Sequence, residues 1–72
     1  MKQTSSLRSP DEILKVALEK ETQARAFYAE LAVSCSVEYV KELLEKLHDE
    51  EGKHVHMIEA MIRRLDAGQK LV

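Results

Sequence analysis

Glu51, Gly52, Lys53 and His54 form a Glu-x-x-His set inside a long run of helix-forming sequence. Residues three apart on an α-helix share a face and stand about 4.5 Å apart along its axis, so the Glu51 carboxylate and the His54 imidazole can converge on one ion. That is metal-ligand spacing. In a chain with 33% charged residues such a pair is ordinarily two solvated side chains on a polar face. What distinguishes this pair is its place in the apolar pattern. Alternating steps of four and three from residue 40 meet Val40, Leu44, Leu47, Glu51, His54, Ile58, Met61 and Leu65, a hydrophobic seam with two polar residues at its centre. A buried carboxylate or imidazole is costly unless it is paired, hydrogen-bonded or bound to metal. An earlier seam, Leu14, Ala17, Glu21, Ala24, Tyr28 and Leu31, carries a third polar group, the Glu21 carboxylate, in its middle.

Two helices have to position these groups. Ser9-Pro10-Asp11-Glu12 reads as a helix start, with Ser9 as N-cap, Pro10 at the first helical position and Glu12 completing a capping box. No Gly or Pro follows until well past Val33, which predicts a first helix over about 10–33, roughly 36 Å long. Ser34-Cys35-Ser36 interrupts it with short polar side chains that favour turns and caps. Ser36 is the expected N-cap of a second helix over about 37–66, with Glu38 at the positive end of its dipole and Gly68 as its C-terminal cap. Residues 1–8 read as a mobile N-terminal arm, 9–67 as the folded unit and 68–72 as a C-terminal tail. A connection this short makes the helices antiparallel neighbours, an all-α helical hairpin.

Such a hairpin is too small to enclose both of its seams. Chains below about 70–80 residues seldom bury enough core to stand alone without disulfides, metal or oligomerisation, and this one has 72. A single cysteine excludes an internal disulfide, leaving metal and self-association as staples. The expected folding unit is therefore a homodimer, two hairpins pairing by a twofold axis into a four-helix bundle, with higher homo-oligomers open. Eleven Lys and Arg are scattered among thirteen Asp and Glu, so no nucleic-acid footprint is expected. No apolar run approaches the ~20 residues of a membrane span, and the first residues lack a signal-type apolar region. The expectation is a soluble, cytoplasmic protein with no membrane partner.

Pairing doubles every ligand. Each chain offers Glu21 from one helix and Glu51 with His54 from the other, so a dimer gathers four carboxylates and two imidazoles. Four buried carboxylates alone would repel one another and take up protons, whereas two divalent cations neutralise them. Carboxylate and imidazole ligation without thiolate suits iron or manganese, with zinc also compatible.

Glu21-Thr22-Gln23-Ala24-Arg25-Ala26-Phe27-Tyr28 resembles the Glu-x-x-Ala-x-x-x-Tyr stretch of rubrerythrins, and Asp49-Glu50-Glu51-Gly52-Lys53-His54 resembles their second-helix Glu-x-x-His. The likeness spans about residues 11 to 65. It implies a ferritin-like four-helix bundle and a diiron-carboxylate centre, two iron ions per dimer, in which Glu51 bridges the metals, His54 and Glu21 are terminal ligands and Tyr28 is a hydrogen-bond donor behind them. Because Tyr28 stands one heptad from Glu21, about 10 Å along the axis, the carboxylate it reaches is expected on another helix. Peroxide or dioxygen is the expected oxidant, with Fe(II) oxidation the reaction and the separate electron donor left open. The chain also departs from the pattern: it has one helix pair where rubrerythrins have two, no Cys-x-x-Cys pairs, and Ala24 where one rubrerythrin half carries an additional Glu. Symmetric four-Glu, two-His ligation is likewise similar to bacterioferritin sites and to the short ferritin-like proteins held inside encapsulin shells.

Neighbouring residues have their own readings. His48 and Glu50 flank the seam and would stand in for a ligand if the helix were phased differently. His56 lies about 200° around from His54 and should face solvent. Cys35 reads as a small turn residue at the bundle end. A metal-free dimerisation module would use the same seams, with Glu21 setting register, and a non-catalytic iron-storage cargo would bind metal without repeated turnover.

Overall fold

The computed structural model describes residues 9–71, with side chains as far as Gly68. The expected arm over residues 1–8, and Val72, lie outside the described residues. Two helices, α1 over Pro10–Ser34 and α2 over Glu38–Leu71, make an antiparallel hairpin, and no strand occurs among the described residues. At the start of α1 the Glu12 amide donates to the Ser9 hydroxyl at 3.2 Å while the Ser9 amide donates to the Glu12 carboxylate at 3.0 Å, so the capping box is formed on both sides. Cys35 ends α1 in an extended conformation, its amide donating to the Ala32 carbonyl at 3.3 Å.

The second helix departs from the sequence expectation at both ends. Val37, not Ser36, occupies the cap position: its carbonyl accepts the amides of Val40 and Lys41, at 3.1 and 2.9 Å. The serine hydroxyl before the turn is Ser34, which bonds back to the Glu30 carbonyl of its own helix at 3.1 Å. At the far end α2 continues through Gly68 to Leu71, because no glycine adopts the left-handed conformation a glycine stop requires and no proline blocks the next turn.

The molecule is one layer of helix. It measures 52 × 32 × 12 Å, its thinnest dimension being that of a single helix with side chains and its longest the length of α2. Ala32, 5% exposed, is the one buried hydrophobic residue among those described.

The packing also separates two stripes that the sequence seam had merged. Leu44, His48, Glu51, Val55, Ile58, Ile62 and Leu65 of α2 are partly covered and recur at the spacing of a face turned to α1. Val40, His54 and Met61, expected in that seam, lie one position to its side and are exposed. The corresponding stripe of α1 is Leu14, Leu18, Glu21, Tyr28 and Ala32. An apolar groove lined by Ile13, Leu14, Met61 and Leu65 shows that the exposed flank of α1 beginning at Ile13 and that of α2 containing Met61 lie on the same side of the hairpin. Heptad steps along that side bring up Phe27 of α1 and His54, Leu47 and Val40 of α2. This open face carries most of the large exposed hydrophobics: Ile13, Phe27, Leu31, Val40, Leu43, Met57 and Met61 are 37–67% exposed.

Candidate metal centre

Midway along the hairpin, the two helices bring Glu21, Glu51 and His54 together. One potential ligand atom from each lies within 4.8 Å of the others. His54 Nδ1 stands 3.1 Å from Glu21 Oε1 on the opposite helix and 3.3 Å from Glu51 Oε1 one turn away. Glu21 and Glu51 sit on the stripes where the helices meet, and their side chains are 32% and 20% exposed. His54, at 49%, reaches in from the open face. The trio thus lies at the edge between the intrachain seam and the unpartnered side.

Mutual proximity shifts all three acids and bases. Glu51 is pushed above the ordinary carboxylate value, foremost by a hydrogen bond with Glu21 that only a protonated acid can donate, then by partial desolvation and the Glu21 charge, with His54 opposing. The same bond, followed by the His54 hydrogen bond, holds Glu21 below its ordinary value. His54 is raised, chiefly by its hydrogen bond to Glu21 and also by Glu51, against desolvation. Glu51 and His54 thus keep their protons to higher pH than isolated groups would, while Glu21 loses its proton at lower pH.

Donor atoms about 2.1 Å from a common ion stand about 3 Å apart when adjacent and about 4.2 Å apart when opposite, and the separations of His54 Nδ1 from the two carboxylate oxygens, 3.1 and 3.3 Å, fall in that range. Two carboxylate oxygens and one imidazole nitrogen are a donor set for iron, manganese or zinc. The residues fit a metal, and three donors leave an octahedral ion half-ligated.

The other candidate residues are placed apart from the trio. His48 lies on the α1-facing stripe, its Nδ1 3.2 Å from Asp49 Oδ1. Glu50 is exposed and 3.5 Å from the Lys53 ammonium. His56 is exposed, about 140° around α2 from Glu51 on the α1-facing stripe. Tyr28 is half-buried beside Phe27, ring centroids 6.0 Å apart, one heptad beyond Glu21. Cys35 is a turn residue, its thiol 3.5 Å from the Val37 carbonyl.

Arg25 escaped the reading of the sequence. Its guanidinium lies across α2 at Gly52, where an added Cβ would meet Nε at 3.4 Å and Cζ at 3.7 Å. Gly52 thus leaves room beside Glu51 for a cation carried one turn after Glu21. The signal available was the i, i+4 spacing of Glu21 and Arg25 together with the unexplained helical glycine.

The family model for rubrerythrin matches residues 12–72, which spans both helices and all three converging residues. This chain belongs to the rubrerythrin family. Searches of curated proteins and of solved structures gave no match. Membership accords with the two-helix architecture and with a carboxylate and histidine group of diiron type. Among the described residues, no helix is long and apolar enough to cross a membrane.

Proposed function

We propose that two copies of the hairpin pair through their open faces into a four-helix bundle, that its core holds two iron ions ligated by Glu21, Glu51 and His54 of each chain, and that the assembly oxidises Fe(II) with peroxide or dioxygen. The observation that carries this reading is the convergence of the three donors at the edge of an apolar face that the single chain leaves uncovered, in a member of the rubrerythrin family. A second copy supplies the donors that one chain lacks and covers the hydrophobic residues that one chain exposes.

Iron ions held by Glu21, Glu51 and His54 would supply the electrons for reducing the oxidant, one from each ion. The chain's own groups do the rest. Glu21, Glu51 and His54 would hold the ions, and the carboxylates, doubled in the dimer, would balance the charge of two dications. His54 would ligate in its neutral form through Nδ1, the nitrogen turned to both carboxylates, and Glu21 opposes loss of its proton. Glu51, whose ionisation Glu21 opposes, ligates in its ionised form. Side chains on a helix lean toward its N-terminus, so the Tyr28 ring leans back toward the level of Glu21, and its hydroxyl is assigned as a donor to a carboxylate of another helix. Covering by Phe27, Leu31, Leu47 and Met61 keeps bulk water from the centre.

Elemental analysis of protein reconstituted anaerobically with Fe(II) tests the site, with Glu51→Ala as control. About two irons per dimer in the parent and loss in the variant support it; addition of peroxide or dioxygen then reads Fe(II) oxidation over repeated cycles. A dimer that binds no metal and is equally folded with and without chelator would reduce the protein to a helical association module. Stoichiometric metal without turnover would assign it to iron storage.

A further inference from the structure

From the side of the hairpin opposite the open face we infer a route to the metal centre and its gate: the Arg25 side chain is a movable cover over the bare backbone at Gly52, and its displacement lets divalent cations reach and leave Glu21 and Glu51. This rests on the metal centre proposed above and adds to it a means of access. Around α2, Gly52 lies about 100° to one side of Glu51 and His54 about 60° to the other. A second copy seated on the open face therefore covers the His54 side and leaves the Gly52 side in solvent. On that free side a groove of about 510 Å³ lies between Ala29 and Ala32 of α1 and Glu45, His48 and Asp49 of α2. Arg25 is one turn from Ala29, and Gly52 is one turn from His48 and Asp49, so the groove runs up to the point where Arg25 crosses α2. Its two carboxylates outnumber its one lysine, Lys41, a balance that favours cations.

The guanidinium stands where a side chain of residue 52 would stand. A Cβ built on Gly52 meets three atoms first, Nε, Cζ and Nη2 of Arg25, at 3.4, 3.7 and 3.8 Å. Among the described residues no ion pair or hydrogen bond fixes this group, and Arg25 is exposed. Exposed side chains of this kind change rotamer within nanoseconds, so the cover opens without any movement of the helices. Behind it are groups that are themselves not sealed: Glu51 adjoins Gly52, Glu21 is one turn before Arg25, and their side chains are 20% and 32% exposed. In place, the guanidinium both obstructs this approach and repels a dication, because its charge is permanent. Displaced, it removes both barriers together. A rigid aliphatic side chain at position 52 would close the same space for good, which gives a physical reason for a glycine where alanine would make the better helix.

Exchange of Co(II), followed by its visible absorption in the full-length protein, tests the gate without any turnover. Stopped-flow mixing gives the uptake rate, excess chelator gives the release rate, and titration gives Kd. Arg25→Ala should accelerate both uptake and release, and Gly52→Leu should slow both, by a common factor of about ten that leaves Kd unchanged. The release rate separates a gate from a charge. A guanidinium acting only through its charge weakens the hold on a nearby dication, so its removal would slow release. Slower or unaltered release from Arg25→Ala would therefore overturn the gate, as would faster release matched by a proportional loss of affinity, the mark of a loosened fold. Should Gly52→Leu fail to fold, Arg25→Ala decides alone. In each of these outcomes a parent that binds Co(II) keeps its metal centre, whereas a parent that binds none would overturn both the centre and the gate.

Discussion

Replacing Phe27 by alanine separates a hairpin that folds alone from one that folds by pairing. In the single chain Phe27 is 56% exposed, which for a side chain burying 150–250 Å² leaves about 110 Å² in water. Covering that area against a second copy contributes about 2.8 kcal/mol at ~25 cal/mol per Å², and an alanine in its place recovers about a third. The net loss is about 2 kcal/mol per chain and, since a twofold interface uses each residue twice, about 4 kcal/mol per dimer, roughly a thousandfold in the dimer Kd. Val33→Ala is the matched control: Val33 is 84% exposed, six residues along the same helix, on the side away from the open face, and its loss should stay within about 0.5 kcal/mol. Sedimentation equilibrium over a wide concentration range gives both constants, and thermal melts at the same concentrations should show Tm rising with protein concentration. A parent whose Tm is independent of concentration, or a Phe27→Ala chain with the parent's Kd, would refute the assignment of this face as the interface.

Three further outcomes follow from local geometry. Ser9→Ala removes the hydroxyl that accepts the Glu12 amide and should cost about 1 kcal/mol by urea denaturation without changing metal stoichiometry. Gly52→Ala places a methyl 3.4 Å from the movable end of Arg25, so the gain in helix propensity should prevail, up to ~1 kcal/mol of added stability in the same denaturation series; a loss would show that Arg25 is held rigidly there. For pH, His54 is raised, so its pairing stabilises the metal-free protein below about 6.5 and is lost as pH rises through the folded value; Glu21 is lowered, so its pairing is present above about 4.5 and lost as pH falls through the folded value. The raised Glu51 loses its contribution as pH increases, in the same sense as His54. Metal-free stability contributed by the trio should therefore peak between about pH 4.5 and 6.5, while metal affinity climbs with pH as Glu51 and His54 surrender protons. At pH 6, below the ordinary histidine value, titration calorimetry with Mn(II) in buffers of different ionisation enthalpy should report proton release, and its absence would exclude His54 as a ligand.

Much of this architecture is legible in single residues. Ser9, Pro10 and Glu12 announce the start of α1 because a cap is a local device, made by residues three apart. The Ser34-Cys35-Ser36 break marks a turn because nothing there sustains an apolar stripe, although which residue caps α2 depended on the chain's path and fell to Val37. Glu51 and His54 are neighbours by helix geometry alone, and Glu21 was identifiable as a carboxylate interrupting an apolar seam. The likeness to rubrerythrins rested on the same residues that the family model covers.

What the sequence determined by itself is everything the helical repeat and short-range chemistry dictate: two helices, a tight antiparallel turn, and one carboxylate facing a Glu-x-x-His pair. The tertiary structure decided which side of α2 meets α1. Apolar residues on α2 occupy adjacent files, with Val55 and Ile62 in one and Val40, Leu47 and Met61 in the next, and a seam drawn by alternating threes and fours crosses between them with equal ease. Only packing against the stripe of Leu18, Glu21 and Tyr28 on α1 turns Val55 and Ile62 inward, sets His54 at the boundary and leaves Met61 and Val40 on the open face. The reason is physical: periodicity fixes which residues share a face, but a helix with more than one apolar file is oriented by the shape of what it packs against.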